Sequence, residues 1–206
     1  MSDIPRNETL SRRERRKERT YRHLLQSAEV LFRTQGYDAT TVEEIAERAD
    51  VAKGTVFNYF ENKASILSAV LFSRTQSILR SPPGENQPAP ERIKHLFMAL
   101  WSELSPYRNI ARRFVAYSLA QPEPQKPPEN AILPIQTLAI LIEQGQNQGH
   151  FRKDINVELS SKILLTFFSH TFLITSNEKD YDEQANAALL EQCLSLLYHG
   201  MMVCND

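Results

Sequence analysis

Residues 41–60, TVEEIAERADVAKGTVFNYF, read as a short helix, a tight turn and a second short helix. Val42, Ile45, Ala46 and Ala49 recur at helical spacing and make one apolar stripe, while Glu43, Glu44, Glu47 and Arg48 take the wet face. Ala46 falls where the helices would cross, and its small side chain permits close approach. Asp50 is placed to stop the first helix by bonding local backbone groups, and Val51 to plug the corner. Ala52, Lys53, Gly54 and Thr55 open the second helix, with Val56 and Phe60 anchoring it from below. Lys53, Thr55, Asn58 and Tyr59 fall on its outer face. Small and hydrogen-bonding groups at a helix start suit base edges and phosphates. The whole pattern predicts a helix-turn-helix that offers its second helix to the DNA major groove. The bland alternative is a short helical hairpin buried in a core.

The flanks favour the DNA reading. Upstream, Leu24, Ala28, Leu31 and Phe32 form a helical stripe that ends at Gly36, a good helix stop. Downstream, Asn62 can cap a helix carrying Ile66, Leu67, Val70 and Leu71. Three helices and a connecting fourth make a self-contained head.

From Arg22 to Leu67 the chain resembles the DNA-binding domain of the TetR (tetracycline repressor) family. The resemblance rests on Gly36-Tyr37, Thr40-Thr41, Ile45-Ala46, Gly54-Thr55, the run Phe57 to Phe60 and Lys63, in register over about 45 residues. It implies that Thr41 begins its helix and binds phosphate through hydroxyl and backbone. Lys53, Gly54 and Thr55 would face bases, Phe57, Asn58 and Tyr59 would meet backbone or bases, and Lys63 a phosphate. Many members carry Tyr where this chain has Phe57, and an aromatic-His pair where it has Asn58-Tyr59; Tyr59 would have to supply the missing hydroxyl. Glu43 stands where some members read a base. Its carboxylate would accept from cytosine N4 or, more simply, be solvated.

Charge is unevenly placed. The chain holds 24 Lys+Arg and 25 Asp+Glu, unlike a basic protein that coats DNA without specificity. Residues 1–22 hold eight basic and four acidic side chains, and residues 23–63 hold four basic and seven acidic. The electrostatic pull on DNA must then come mainly from RRERRKERTYR. This arm is either a solvated tail or an extension that tracks phosphates or enters the minor groove.

A chain of 206 residues with 41% hydrophobic content can bury a core. The expected organisation is all-α: a basic flexible arm over 1–19, the helix-turn-helix head over 20–63, and a helical effector-binding and dimerisation domain over 64–206. The first residues lack the apolar run of a signal peptide, no segment has 18 consecutive apolar residues, and Cys193 and Cys204 make no disulfide framework. These features predict a cytoplasmic protein with no membrane span.

Past the head, helices are expected near 62–80, 91–104, from Pro106, from 130–134 past Ile142 with fading near 145–149, and near 156–176 and 182–203. SPPGENQPAP and QPEPQKPPEN read as loops, and residues 150–154 as a link. Ile163, Leu164, Phe167, Phe168, Phe172 and Ile174 cover more than one face of the first of the last two helices. Leu189, Leu190, Leu194, Leu196, Leu197 and Met201 do the same for the second. Such helices suit a four-helix interface with a second copy, and family members typically dimerise there. Two heads set about 34–36 Å apart would then read a near-palindromic operator on double-stranded DNA.

The resemblance also implies a small apolar or amphipathic effector. Phe97, Trp101, Phe114, Tyr117, Leu138, Ile142, Phe168 and Thr171 would line its pocket, although ordinary core predicts the same residues. Arg108, Arg112 and Arg113 read as solvated; only if they rim a pocket would they suit an anionic effector such as an acyl thioester of coenzyme A. His170 reads as a satisfied core histidine. No cofactor, metal set, nucleophile–base pair or phosphate-cradling Gly loop is legible, so an enzyme is not expected. The expected function is a dimeric transcriptional regulator, a repressor released by a small effector; the alternative is a regulator controlled by a protein partner or without ligand.

Overall fold

The computed structural model describes residues 11–120, 129–175 and 182–201. All regular elements among them are helical. The residues group into two compact units, one up to Val70 and one from Leu71.

The first unit starts with α1 (Arg12–Thr34), followed by α2 (Val42–Arg48), α3 (Lys53–Phe57) and the beginning of α4 (Lys63–Arg80). The expected arm over 1–19 is thus corrected from residue 12 onward. The cause is a capping box: Glu14 N–H donates to Ser11 Oγ at 3.2 Å and Ser11 N–H donates to Glu14 Oε2 at 2.7 Å. Two orphan amides at the helix start are satisfied reciprocally. After α1 the chain turns at Gly36, whose φ of 88° is costly for a side-chain-bearing residue. Thr40 is fully buried, and its hydroxyl donates to the Gly36 carbonyl at 2.7 Å.

Leu24, Ala28, Ile45 and Val56 have no exposed surface, and Phe32, Ile66 and Leu67 have almost none. Each large member contributes about 1.5–3 kcal/mol through burial. Asn62 caps α4 by accepting from Ser65 N–H at 2.9 Å.

The second unit holds the rest of α4, then α5 (Ala89–Leu104), a 3-10 turn (Ser105–Tyr107), α6 (Arg108–Ala120), α7 (Glu129–Asn147), α8 (Val157–Thr175) and α9 (Glu183–Met201). Helix α8 packs against α6, α7 and α9, while α5 packs against α7 and α9. The Thr137 hydroxyl lies 3.0 Å from the Leu79 carbonyl and 2.8 Å from that of Leu133, tying α7 to the end of α4. Lys94 pairs with Glu191 across α5 and α9 at 2.7 Å.

Helix α7 ends at Asn147, within the fading expected near Gly145 to Gly149. Residue 145 has no room for a side chain: a Cβ there would meet the Phe151 ring at 2.3 Å. Phe151, expected in a mere link, is fully buried and faces the Tyr198 ring at 6.2 Å.

Helix α8 is long and apolar enough to cross a membrane by length and composition. Its apolar surface is instead divided. Leu164, Phe168 and Phe172 enter the core, whereas Leu159, Ile163 and Ile174 are about half exposed. His170 lies on the exposed side, which corrects its reading as a core histidine.

Candidate nucleic-acid interface

Helix α2 ends at Arg48 with Ala49 as its C-cap, and Asp50 takes a positive φ of 53°, a conformation that Asp tolerates better than most side-chain-bearing residues. The reversal is closed by Val51 N–H donating to the Ala46 carbonyl at 3.0 Å. Helix α3 follows at once, with Thr55 N–H donating to the Ala52 carbonyl at 2.8 Å and Phe60 N–H to that of Val56 at 3.0 Å. Val56 and Phe60 lock the short helix onto the head, as the stripe predicts.

The predicted DNA-facing residues divide into two sets. Lys53, Gly54, Phe57 and Asn58 are exposed, and Thr55 is half-buried beside them. The Lys53 ammonium lies 5.9 Å from the centre of the Phe57 ring. It also donates to the Glu43 carboxylate on α2. Glu43 is exposed and paired with Lys53, and its carboxyl is held below the usual range by that hydrogen bond.

The other three face inward or are already engaged. The Thr41 hydroxyl accepts from Glu44 N–H at 3.2 Å and donates to Glu44 Oε2 at 3.0 Å. The Thr41 N–H donates to the same carboxylate at 2.7 Å. Thr41 does begin its helix as expected, and in this structure its hydroxyl and N–H cap α2. The Tyr59 hydroxyl donates to the Lys17 carbonyl at 3.2 Å, and its ring packs beside Tyr21 and Phe60.

Lys63 departs most from expectation. Its ammonium donates to the carbonyls of Tyr37 and Thr40, both at 2.8 Å, with that of Asp38 at 3.4 Å. The Tyr37 ring lies 4.4 Å away. Three donors are directed at three backbone oxygens, so in this structure the lysine fastens the α1–α2 loop to α4.

In the second unit Phe97, Trp101, Leu138, Ile142, Phe168 and Thr171 are all buried. Phe97 stacks on Phe168 at 5.0 Å, and Trp101 meets Phe168 and Phe172 edge-on at 6.2 and 5.2 Å. The Trp101 indole N–H has no hydrogen-bond partner among the described residues, contrary to the usual rule for buried indoles. The side chains of Phe114 and Tyr117 lie outside the described residues, as does Cys204. Arg112 and Arg113 are exposed on α6, with Arg108 half-buried.

Residues 24–70 match the sequence profile described as "Bacterial regulatory proteins, tetR family". The chain is a TetR-family transcriptional regulator. Full-length comparisons agree. The chain is 24% identical over 198 residues to the HTH-type transcriptional repressor DhaR of Mycobacterium sp. (strain GP1), covering 87% of this chain and 91% of that protein. It is 26% identical to the uncharacterized HTH-type transcriptional regulator YdeS of Bacillus subtilis, over 79% of this chain and 83% of YdeS. Among solved structures, Thermus thermophilus FadR, a TetR-family repressor in complex with lauroyl-CoA, superposes with a TM-score of 0.73. The match has 25% identity and covers 90% of this chain and 97% of FadR. The all-helical architecture and helix-turn-helix head expected from sequence are those of the family, whose members are DNA-binding regulators and not enzymes.

Proposed function

We propose that this TetR-family regulator is a cytoplasmic homodimeric repressor that binds a near-palindromic operator and leaves it when a small amphipathic effector occupies the second unit. The carrying observation is the α2–α3 reversal with Lys53, Gly54, Phe57 and Asn58 exposed together at the second helix. In this reading α3 enters the major groove, and Lys53, Gly54, Thr55, Phe57 and Asn58 meet bases and backbone. The repressor names of DhaR and FadR support the sign of regulation.

Dimerisation is supported by an exposed stripe on α8, formed by Leu159, Ile163, Thr166, His170 and Ile174, and by Leu189 and Leu196 on α9. Leu196 is 77% exposed and lies two helical turns on from the exposed Leu189, on the same side of α9. A second copy related by a twofold axis would cover both stripes.

For the effector, the aromatic cluster around Trp101 is the candidate wall. The lauroyl-CoA held by FadR makes an acyl thioester of coenzyme A the first probe, with Arg108, Arg112 and Arg113 as candidate partners of its phosphates. Helix α4 belongs to both units and would carry the coupling. By linkage, an inducer that lowers DNA affinity must be bound less tightly by the DNA complex, by the same factor. Trp101 is the sole tryptophan, so its emission reports on this cluster. Lauroyl-CoA should shift that emission at the concentrations that release DNA. A shift without release would favour a body that binds ligand uncoupled from the head, and neither effect would favour control by a protein partner.

A further inference from the structure

We infer that the first turns of α1 are a second DNA-contacting element, in which Arg12, Arg15, Arg16 and Arg19 engage phosphates of the duplex that α3 reads. This inference rests on the DNA-binding reading of the head. The four arginines stand at helical spacings of three and four, so they share one face of a helix that is already formed. All four are exposed.

Three observations carry the assignment. First, cations elsewhere in the head are few, and two of the four are engaged. Residues 23–63 hold four basic and seven acidic side chains. Of those four, Lys63 is turned onto backbone carbonyls and Lys53 is paired with Glu43. A head with this balance repels a polyanion unless positive charge is supplied nearby.

Second, α1 is fastened to the end of the helix-turn-helix at the level of these arginines. Tyr59 donates to the Lys17 carbonyl at 3.2 Å, and Tyr21 stacks on Phe60 with ring centres 5.5 Å apart. The basic turns are held beside the segment that follows the recognition helix, not on a free tether.

Third, the arginines work against their own helix. Like charges three and four residues apart repel, and cations in the first turn oppose the helix dipole. Only Glu14 and Glu18 offset them, the first by capping and the second by pairing with Arg22 at 2.8 Å. An oppositely charged partner on this face would relieve that repulsion. From Arg12 to Arg19 the stripe is about 10 Å long, comparable to the axial rise of about three phosphates of one strand.

The test replaces all four with glutamine, a good helix former, giving R12Q/R15Q/R16Q/R19Q in the full chain. Binding is measured across a salt series to a mixed-sequence duplex and to the DNA upstream of the chain's own gene. The expected result is weaker binding to both, by about the same factor, with the slope of log affinity on log salt shallower by about 0.9 for each phosphate no longer engaged. An unchanged slope, with wild-type binding intact and helicity retained, overturns the inference but leaves the helix-turn-helix reading standing. Wild-type chain that binds neither DNA overturns both. Loss of binding to phosphatidylglycerol vesicles with an unchanged DNA slope would assign the stripe to anionic membranes and also overturn it.

Discussion

The Lys63 ammonium donates to the Tyr37 carbonyl at 2.8 Å and lies 4.4 Å from the centre of the same residue's ring. A family-matched lysine expected at a phosphate is thus a clamp on the loop between α1 and α2. Lys63→Met should lower the stability of the head by about 2 kcal/mol, since hydrogen bonds from a charged donor disappear and carbonyls are left unpaired. Urea unfolding followed by circular dichroism measures this. The salt slope of DNA binding should not change; a slope shallower by about 0.9 would mean that Lys63 reaches a phosphate after all.

Thr41 and Glu44 predict a pH-dependent cap. The Thr41 N–H and hydroxyl, with Gln35 Nε2 at 3.1 Å, hold the Glu44 carboxyl below its ordinary range. A carboxyl depressed in the folded state adds stability above its unfolded pKa of about 4.3. That stability is lost as pH falls through the lower folded value. Wild type and Glu44→Gln should therefore differ in amide-exchange protection of α2 at neutral pH and converge in acid. Thr41→Ala should cost about 1 kcal/mol at neutral pH, the usual loss for an N-cap threonine.

Glu43 restrains Lys53 through the ion pair that joins α2 to α3. Glu43→Gln should free the ammonium for phosphate, tightening DNA binding roughly fivefold at low salt and steepening the salt slope by about 0.9. Adding Lys53→Ala should abolish both gains, a coupling that a double-mutant cycle reads directly. Equal effects of Lys53→Ala in both backgrounds would show that the pair does not govern binding.

The exposed stripes on α8 and α9 make the oligomer testable without disturbing the core. Ile163→Glu with Leu196→Glu places charge on positions 48% and 77% exposed. Wild type should sediment as a dimer; the double variant should remain helical, sediment as a monomer, and bind operator DNA at least about tenfold more weakly, on the order of the avidity forfeited when two heads act singly. A variant that stays dimeric would place the interface on another face.

The head was legible because its signals are local. Gly36 and Asp50 take the positive φ their residue types allow, and the stripe Val42, Ile45, Ala46 becomes the packed face of α2. The helical start of α1 was also written locally, in Ser11-x-x-Glu14, yet the run of arginines suggested a solvated tail. Lys63 and Glu43 could not be placed this way. Their partners lie 23 to 26 residues and ten residues away, and only tertiary packing brings them together. Phe151 was obscured for the same reason: its burial depends on the missing Cβ of Gly145 six positions earlier. In α8 and α9 composition announced burial on several sides but not which side meets its own core, since leucine and phenylalanine suit either.

The most direct test of the account is footprinting on the DNA upstream of the chain's own gene and its neighbours, with wild type beside Lys53→Ala. The account predicts a protected near-palindrome for wild type, with half-sites about one helical turn or a multiple apart, and loss of protection in the variant at moderate salt. Protection equally strong in the variant, or a protected region with no twofold character, would contradict the assignment of α3 as the reading helix of a symmetric dimer.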